Sequence, residues 1–118
     1  MPFEGAGIYF RDIQGSIESI ESFVKGMGLH EYLQDAKTQA AVERKMLVIS
    51  EAASRLGERA EKLCPGIPWR DIRGIGNWLR HQYDDVNIET VWNSISDDLP
   101  ALKAPVEKAP SSDALKPK

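Results

Sequence analysis

The stretch PWRDIRGIGNWLRHQYDDVN, residues 68–87, carries the clearest helical pattern in this chain. Pro68 suits the first turn of a helix, where the N–H that proline lacks is not needed. After it, apolar side chains recur at helical spacing and form one face of the helix: they are Ile72, Ile75, Leu79 and Tyr83. We therefore predict a helix that begins at Pro68 and turns this face toward the core.

A second face of the same helix carries polar groups suited to chemistry on phosphate. At about 100° per residue, four of them fall within an arc of roughly 100°: Arg73, Asn77, Arg80 and His81. A histidine near its free pKa of ~6.5 exchanges a proton at neutral pH, and an arginine holds a phosphate and stabilises charge that develops on it. These groups suit cleavage of RNA by its own 2′-hydroxyl. The alternative is a set of ordinary surface residues, in which Arg80 and His81 pair with Asp84 and Asp85.

Two glycines lie inside this predicted helix, at Gly74 and Gly76. Each costs about 1 kcal/mol relative to alanine in a helix interior. Such a cost indicates a position that a neighbouring helix or a ligand approaches closely. Tyr83 is either the last core residue of the helix or a hydroxyl that emerges beside His81.

The composition limits the class of protein. The chain has 118 residues and a net charge of −3, which fits one globular domain and argues against a surface coated with basic residues for duplex nucleic acid. Cys64 is the single cysteine, and the two histidines, His30 and His81, lie far apart, so we expect no disulfide, no metal and no cofactor. No apolar run is long enough to span a membrane and no signal peptide is present, so we expect a cytoplasmic protein.

The rest of the chain predicts further helices and no strand. We expect a flexible N-terminus over 1–7, a helical domain over 8–106 and a disordered tail over 107–118. Within the domain, periodic apolar residues predict helices over about 8–25, 42–63 and 88–106, with a short helical turn at 29–34 that ends at the capping residue Asp35. Pro100 should kink or restart the last helix. The predicted fold is all-α, an up-and-down bundle of four to five helices.

The long third helix has a second, thinner apolar stripe flanked by charges. The stripe consists of Ala40, Leu47 and Ser54, with Arg44 and Glu51 beside it. A helix that is apolar on two sides is usually buried on two sides, either at the centre of one bundle or against a second subunit, and we favour the dimer. The interface candidates are Leu47, Glu51 and Trp78, although Glu51 also reads as a surface charge. Trp78 lies off the apolar stripe and is the tryptophan best placed to contact a partner or a base.

Several short segments together resemble one known family. They occur in the right order over roughly residues 8–104: KTQAAVER (37–44), ISEAA (49–53), IPWRDI (67–72), NWLRHQY (77–83), VW (91–92) and DLP (98–100). This pattern is similar to the HepT-like group of the HEPN superfamily. The resemblance implies a helical bundle that dimerises, with residues of the Pro68 helix from both subunits meeting at a cleft.

The resemblance also implies a function, the metal-independent endoribonuclease toxin of a HepT/MntA-type toxin–antitoxin pair that cuts RNA such as tRNA or mRNA. The expected partner is a minimal nucleotidyltransferase antitoxin that silences the toxin by transferring AMP to the motif tyrosine. The family motif is an arginine, a few residues, then His-x-Tyr. His81 and Tyr83 match its second half, which implies proton transfer by His81, and phosphate contact and AMP acceptance by Tyr83. Asn77 matches the polar residue that orients the site.

The arginine of the family motif has no match. Gly76 stands at its position, and the nearest cations are Arg73 and Arg80, one turn to either side. Arg80 lies about 40° round the helix from position 76 and next to His81, so either arginine is a candidate for the missing cation. Two further readings therefore stay open: a HEPN dimer that lost its nuclease and binds a nucleotide or the nucleotidyltransferase, and a purely structural helical dimer.

Overall fold

The computed structural model describes residues 5–81 and 87–109, with only the backbone at residues 80 and 81. The helices are α1 (Ala6–Val24), α2 (Leu29–Leu33), α3 (Ala36–Leu56), α4 (Glu58–Leu63), α5 (Trp69–His81), α6 (Ile88–Asn93), a π-helical turn (Ser94–Asp98) and α7 (Leu99–Glu107). The described residues contain no β-strand, and the all-α prediction is confirmed. The predicted 110–118 part of the tail and Tyr83 lie outside the described residues.

The third helix, α3, is the centre of the bundle. It packs against α1 on one side and α5 on another, and α7 closes the bundle against α1. Large apolar side chains from all of these helices are buried together, among them Ile13, Ile17, Val42, Ile49, Trp69, Val91 and Leu102. Two packing neighbours thus account for two buried sides of α3. Its thinner stripe stays near the surface, since Leu47 is half-buried and Ala40 and Ser54 are exposed.

The continuous helix expected over 42–63 is wrong, because the chain breaks it at Gly57. This residue has φ +55° and ψ −137°, a conformation that only glycine adopts without strain. The Gly57 amide still donates to the Ala53 carbonyl and ends α3, while the Ala60 amide donates to the Gly57 carbonyl and starts α4. The apolar spacing runs on across the break, so periodicity alone did not reveal it.

The helix ends follow the local signals closely. The side chain of Asp35 accepts a hydrogen bond from the Thr38 amide at 3.0 Å and caps α3, as predicted. α1 begins at Ala6, two residues before the expected start at Ile8, and both Ala6 and Gly7 are buried. Residues 6–7 therefore belong to the helix and not to a flexible end.

The C-terminal helical segment contains the restart predicted at Pro100. α6 passes into a π-helical turn, and α7 then begins at Leu99, which places Pro100 in the first turn. A proline is tolerated there because its missing N–H has no intrahelical partner to lose. Along the described chain, no helix combines the length and the apolar character that a membrane span requires.

Candidate functional site

The predicted site helix, α5, is held on α3 by a buried hydroxyl. The Oγ of Ser50 accepts a hydrogen bond from the Gly76 amide at 3.0 Å and donates one to the Arg73 carbonyl at 2.9 Å. Gly76 is buried at this contact. The close approach expected at one of the two helix glycines is thus made by α3 at Gly76. Ser50 was not identified from the sequence. Its position four residues after Met46, on the apolar face of α3, could have indicated a buried hydroxyl that needs a hydrogen-bond partner.

Arg73 extends away from the exposed side of α5 and binds the end of α3. Its guanidinium donates to the carbonyls of Gly57, at 2.7 Å, and Ala53, at 3.3 Å, and forms an ion pair with Glu61 of α4. The hydrogen bond from Arg73 lowers the pKa of the Glu61 carboxyl, and the same bond raises the pKa of Arg73. These contacts join α3, α4 and α5, since one cation satisfies two carbonyls at the helix break.

The solvent-facing side of α5 carries Arg70, Gly74 and Asn77, all exposed. By the helical repeat, His81 follows Asn77 on the same side, one turn later. The backbone of residues 80 and 81 forms the end of α5. The positions of the Arg80 and His81 side chains, and of Tyr83, lie outside what the structure describes, so their meeting in one site stays a prediction.

The three tryptophans have different environments. Trp69 is buried in the core, and its Nε1–H donates to the Cys64 carbonyl at 2.8 Å. Trp92 packs against buried Tyr32 with ring centroids 5.0 Å apart and ring planes tilted by 39°. Trp78 is half-buried and lines an open cavity. Trp92 is half-buried as well, so exposure alone does not distinguish the two, and the contact of Trp78 with a partner or a base stays a prediction.

The cavity beside Trp78 has a volume of about 440 Å³ and lies between α5 and the α6–π-turn segment. Its floor is apolar, formed by Met46, Ile75 and Val91, and its rim is polar, formed by Arg70, Asp71, Thr90 and Ser94, with Gly74 at one wall. We call it the Trp78 cavity. The sequence had not indicated Asp71, Thr90 or Ser94, because nothing in their spacing joins residues of separate helices.

The other two interface candidates lie in a different groove. Leu47 and Glu51 line a surface groove of about 410 Å³ between α3 and α1, together with Tyr9 and Arg44. Glu51 is exposed and pairs with Arg55 at 3.1 Å, one turn along α3. That pairing matches the reading of Glu51 as a surface charge. The structure thus brings Leu47 and Glu51 together and leaves Trp78 apart from them.

Comparison with known proteins assigns the family. The family model described as ribonuclease HepT-like matches residues 13–109. A protein of Thermococcus cleftensis named "Probable ribonuclease HepT" is 36% identical over 100 residues, covering 85% of this chain and 91% of that relative. Two proteins named "Putative RNase", from Methanocaldococcus jannaschii and Caldanaerobacter subterraneus, are 32% and 27% identical over 100 residues each, covering 85% of this chain and 83% and 89% of theirs. No solved structure gives a significant match. The chain, an all-helical bundle with its polar α5 held on α3, belongs to the HepT-like ribonuclease family.

Proposed function

We propose that this protein is a metal-independent endoribonuclease whose site lies on the exposed side of α5. The observation that carries the proposal is the exposed Asn77 on a helix that Ser50 and Arg73 fasten to the bundle, one turn before His81, in a chain of a ribonuclease family. A rigidly held helix keeps reacting groups in fixed geometry, which is a main source of rate acceleration.

The proposed reaction uses the RNA's own 2′-hydroxyl as nucleophile. His81 takes the proton from the 2′-hydroxyl, the 2′-oxygen bonds to phosphorus, and the bond from phosphorus to the 5′-oxygen breaks. The leaving 5′-oxygen gains a proton, and the products are a 2′,3′-cyclic phosphate and a 5′-hydroxyl end. Asn77 orients the phosphate, and Tyr83 contacts it. No bond to the protein forms during the reaction.

The cation that stabilises the developing phosphorane charge is Arg80 in this proposal. Gly76 offers no side chain, and the donors of Arg73 are occupied by two carbonyls and by Glu61. An arginine engaged in this way would have to leave the end of α3 to reach a phosphate. Arg80 is adjacent to His81 and belongs to the last turn of α5, so we assign the role to it and a structural role to Arg73.

The biological setting that we propose is a two-gene toxin–antitoxin pair. The toxin acts in the cytoplasm as a homodimer, with Leu47 and Glu51, which share one groove, as the interface candidates. Trp78, the third interface candidate of the sequence, lies apart from them and is assigned to the RNA side. A minimal nucleotidyltransferase encoded beside it neutralises the toxin by adding AMP to Tyr83. The added phosphate would place negative charge where the RNA phosphate must bind, and this repulsion accounts for the inhibition.

Purified protein incubated with total RNA in the presence of EDTA tests the nuclease. We expect cleavage that survives EDTA and disappears in His81→Ala. His30→Ala is the matched control, because His30 lies on α2, exposed and outside the site, and should cut like the wild type. A fully active His81→Ala protein would refute the assigned role of the imidazole.

A second experiment tests the regulation. The protein is incubated with ATP and the neighbouring nucleotidyltransferase, and its intact mass is measured. Wild type should gain the mass of one or more adenylyl groups and lose cleavage activity, whereas Tyr83→Phe should gain none. Adenylylation that persists in Tyr83→Phe would place the acceptor elsewhere.

One observation favours a second candidate, a nuclease-inactive dimer that binds a nucleotide or the nucleotidyltransferase. The motif position is the buried Gly76, and Arg73 is bound to the end of α3, so Arg80 is the one of the two candidate arginines left for the chemistry. RNA that stays intact with wild-type protein, together with tight retention of the nucleotidyltransferase on a column of this protein, would establish the binding module.

A further inference from the structure

The Trp78 cavity is open, contains an aromatic wall and lies beside the proposed catalytic face of α5. We propose that it binds the base of a guanine nucleotide next to the cleaved bond. The identity of the RNA as ligand depends on the function proposed above, whereas the recognition of guanine depends on the cavity itself.

The first argument is the combination of size, floor and aromatic wall. Proteins recognise unstacked RNA bases by stacking them on aromatic rings and hydrogen-bonding their edges. The cavity of about 440 Å³ has room for a base and its ribose, and Met46, Ile75 and Val91 give it an apolar floor. Trp78 is half-buried, so one part of its indole is fixed by packing while another part lines the cavity. A base would enter beside a ring whose position is already set.

The second argument is the carboxylate at the rim. Asp71 is exposed and makes no hydrogen bond or ion pair with another residue in the described part of the chain. Guanine presents two neighbouring donors, N1–H and the N2 amino group, which match the two oxygens of one carboxylate. Adenine and cytosine each offer one amino group there, and uracil offers one N–H. Thr90 and Ser94 line the same cavity from the α6–π-turn side and supply hydroxyls for the remaining base edge.

The third argument is Gly74, whose absence of a side chain is not explained by any contact within the described part of the chain. A Cβ built at Gly74 meets nothing within 4 Å, in contrast to the close contact that α3 makes at Gly76. Gly74 lies at the wall of the Trp78 cavity. A bare backbone at that point lets a ribose approach α5 closely. Close approach by a ligand would therefore account for a glycine at position 74, in spite of the helix stability that it costs.

The fourth argument is position along α5. By the helical repeat, positions 74 and 81 lie only about 20° apart around the axis of α5, and the 1.5 Å rise per residue puts them about 10 Å apart along it. That separation suits a base bound one nucleotide away from the phosphate at His81. Arg70, which is exposed, lines the cavity and lies one turn before Gly74 on α5, can hold the next phosphate.

The test is a titration of the ¹⁵N-labelled full chain with the four nucleoside 3′-monophosphates, followed by the indole N–H signals. Guanosine monophosphate should shift the Trp78 signal at roughly tenfold lower concentration than the other three. The buried indole of Trp69, bonded to the Cys64 carbonyl, is an internal control and should not move. Trp78→Phe identifies the signal. The guanine assignment would be overturned by equal shifts with all four nucleotides, by a preference for another base, or by a Trp78 signal that does not shift.

Substitution of the carboxylate separates recognition from folding. Asp71→Asn should abolish the guanine preference while the protein stays folded, because the amide offers one acceptor in place of two. Asp97→Asn is the control, since Asp97 is exposed and lines no cavity with Trp78. A preference that survives Asp71→Asn would contradict the pairing that we propose.

Mapping of RNA ends distinguishes this proposal from the proposed nuclease. Fragments cut by wild type should carry guanine enriched at one position beside the cut, and the cuts made by Asp71→Asn, at a lower rate, should lack this enrichment. Cutting without base preference and without a Trp78 shift would refute the guanine site and leave the nuclease standing. A guanine-selective Trp78 shift without any RNA cleavage would refute the nuclease and leave the guanine site standing.

Discussion

Replacement of Gly74 by alanine should make the protein more stable and less active. Gly74 lies in the interior of α5, is exposed, and has open space where a Cβ would stand. In a helix interior, alanine stabilises the folded state by about 1 kcal/mol relative to glycine, in large part because an unfolded chain with glycine has more conformational entropy to lose. With no clash to subtract, we expect the free energy of unfolding to rise by about 0.5–1 kcal/mol, and Tm by about 4 °C.

The same methyl group stands at the wall of the Trp78 cavity and should hinder the ligand. We expect RNA cleavage and guanosine monophosphate binding to fall several-fold in Gly74→Ala. The matched control is Gly15→Ala in α1, because Gly15 is also an exposed, helix-interior glycine whose Cβ would meet nothing within 4 Å. Gly15→Ala should gain similar stability and keep full activity.

Thermal unfolding followed by circular dichroism, and cleavage assayed well below Tm, measure the two effects separately. A lower Tm for Gly74→Ala would show that the space at α5 is already occupied in solution, and its activity would then be uninformative about RNA. A higher Tm with unchanged cleavage and unchanged nucleotide binding would refute the reasoning that the glycine serves a ligand.

Four further substitutions probe the packing and its charges. Arg73→Lys should lower stability by about 1–3 kcal/mol in chemical denaturation, because lysine cannot hold two carbonyls and a carboxylate together, and should leave cleavage intact at low temperature. Ser50→Ala should cost about 1–3 kcal/mol, since it leaves the Gly76 amide without that partner. The pKa of Glu61 is lowered in the folded state, so its contribution is present at neutral pH and lost as the pH falls through that pKa; Glu61→Gln should therefore show a flatter acid-unfolding profile. Burial raises the pKa of Tyr32 to about 12, and its hydroxyl has no hydrogen-bond partner among the described residues. Tyr32→Phe should therefore match or exceed wild-type stability and reduce the loss of stability between pH 10 and 12, whereas Tyr9→Phe should not reduce it.

The sequence predicted the helices well because their signals are local. Ile72 and Leu79 are buried on α5 as their spacing requires, and Asp35 caps α3 through the Thr38 amide. Pro100 falls in a first turn, where a proline fits. Each of these outcomes depends on residues within one or two turns of each other, so a single sequence contains the necessary information.

The contacts of the candidate site were not predictable, because they depend on where the ends of long side chains lie and on which helices meet. Arg73 shares a helical face with Asn77, yet its long side chain reaches back to the Gly57 carbonyl, so the direction of a Cα–Cβ bond does not locate a guanidinium. Gly57 interrupts α3 without interrupting the apolar period. The Trp78 cavity joins α5 to the π-turn segment, and no spacing within either element indicates that they meet.

The two bonds of the Ser50 hydroxyl have a consequence for the alignment of helices. Packed apolar side chains select a register by their shape. A hydroxyl that donates to one backbone group and accepts from another adds a directional requirement that one register meets. A shift of α5 by one residue, about 1.5 Å, would break both bonds together. Together with the Arg73 contacts at the end of α3, the Ser50 hydroxyl therefore fixes the register of α5, and with it the position of every group that α5 carries.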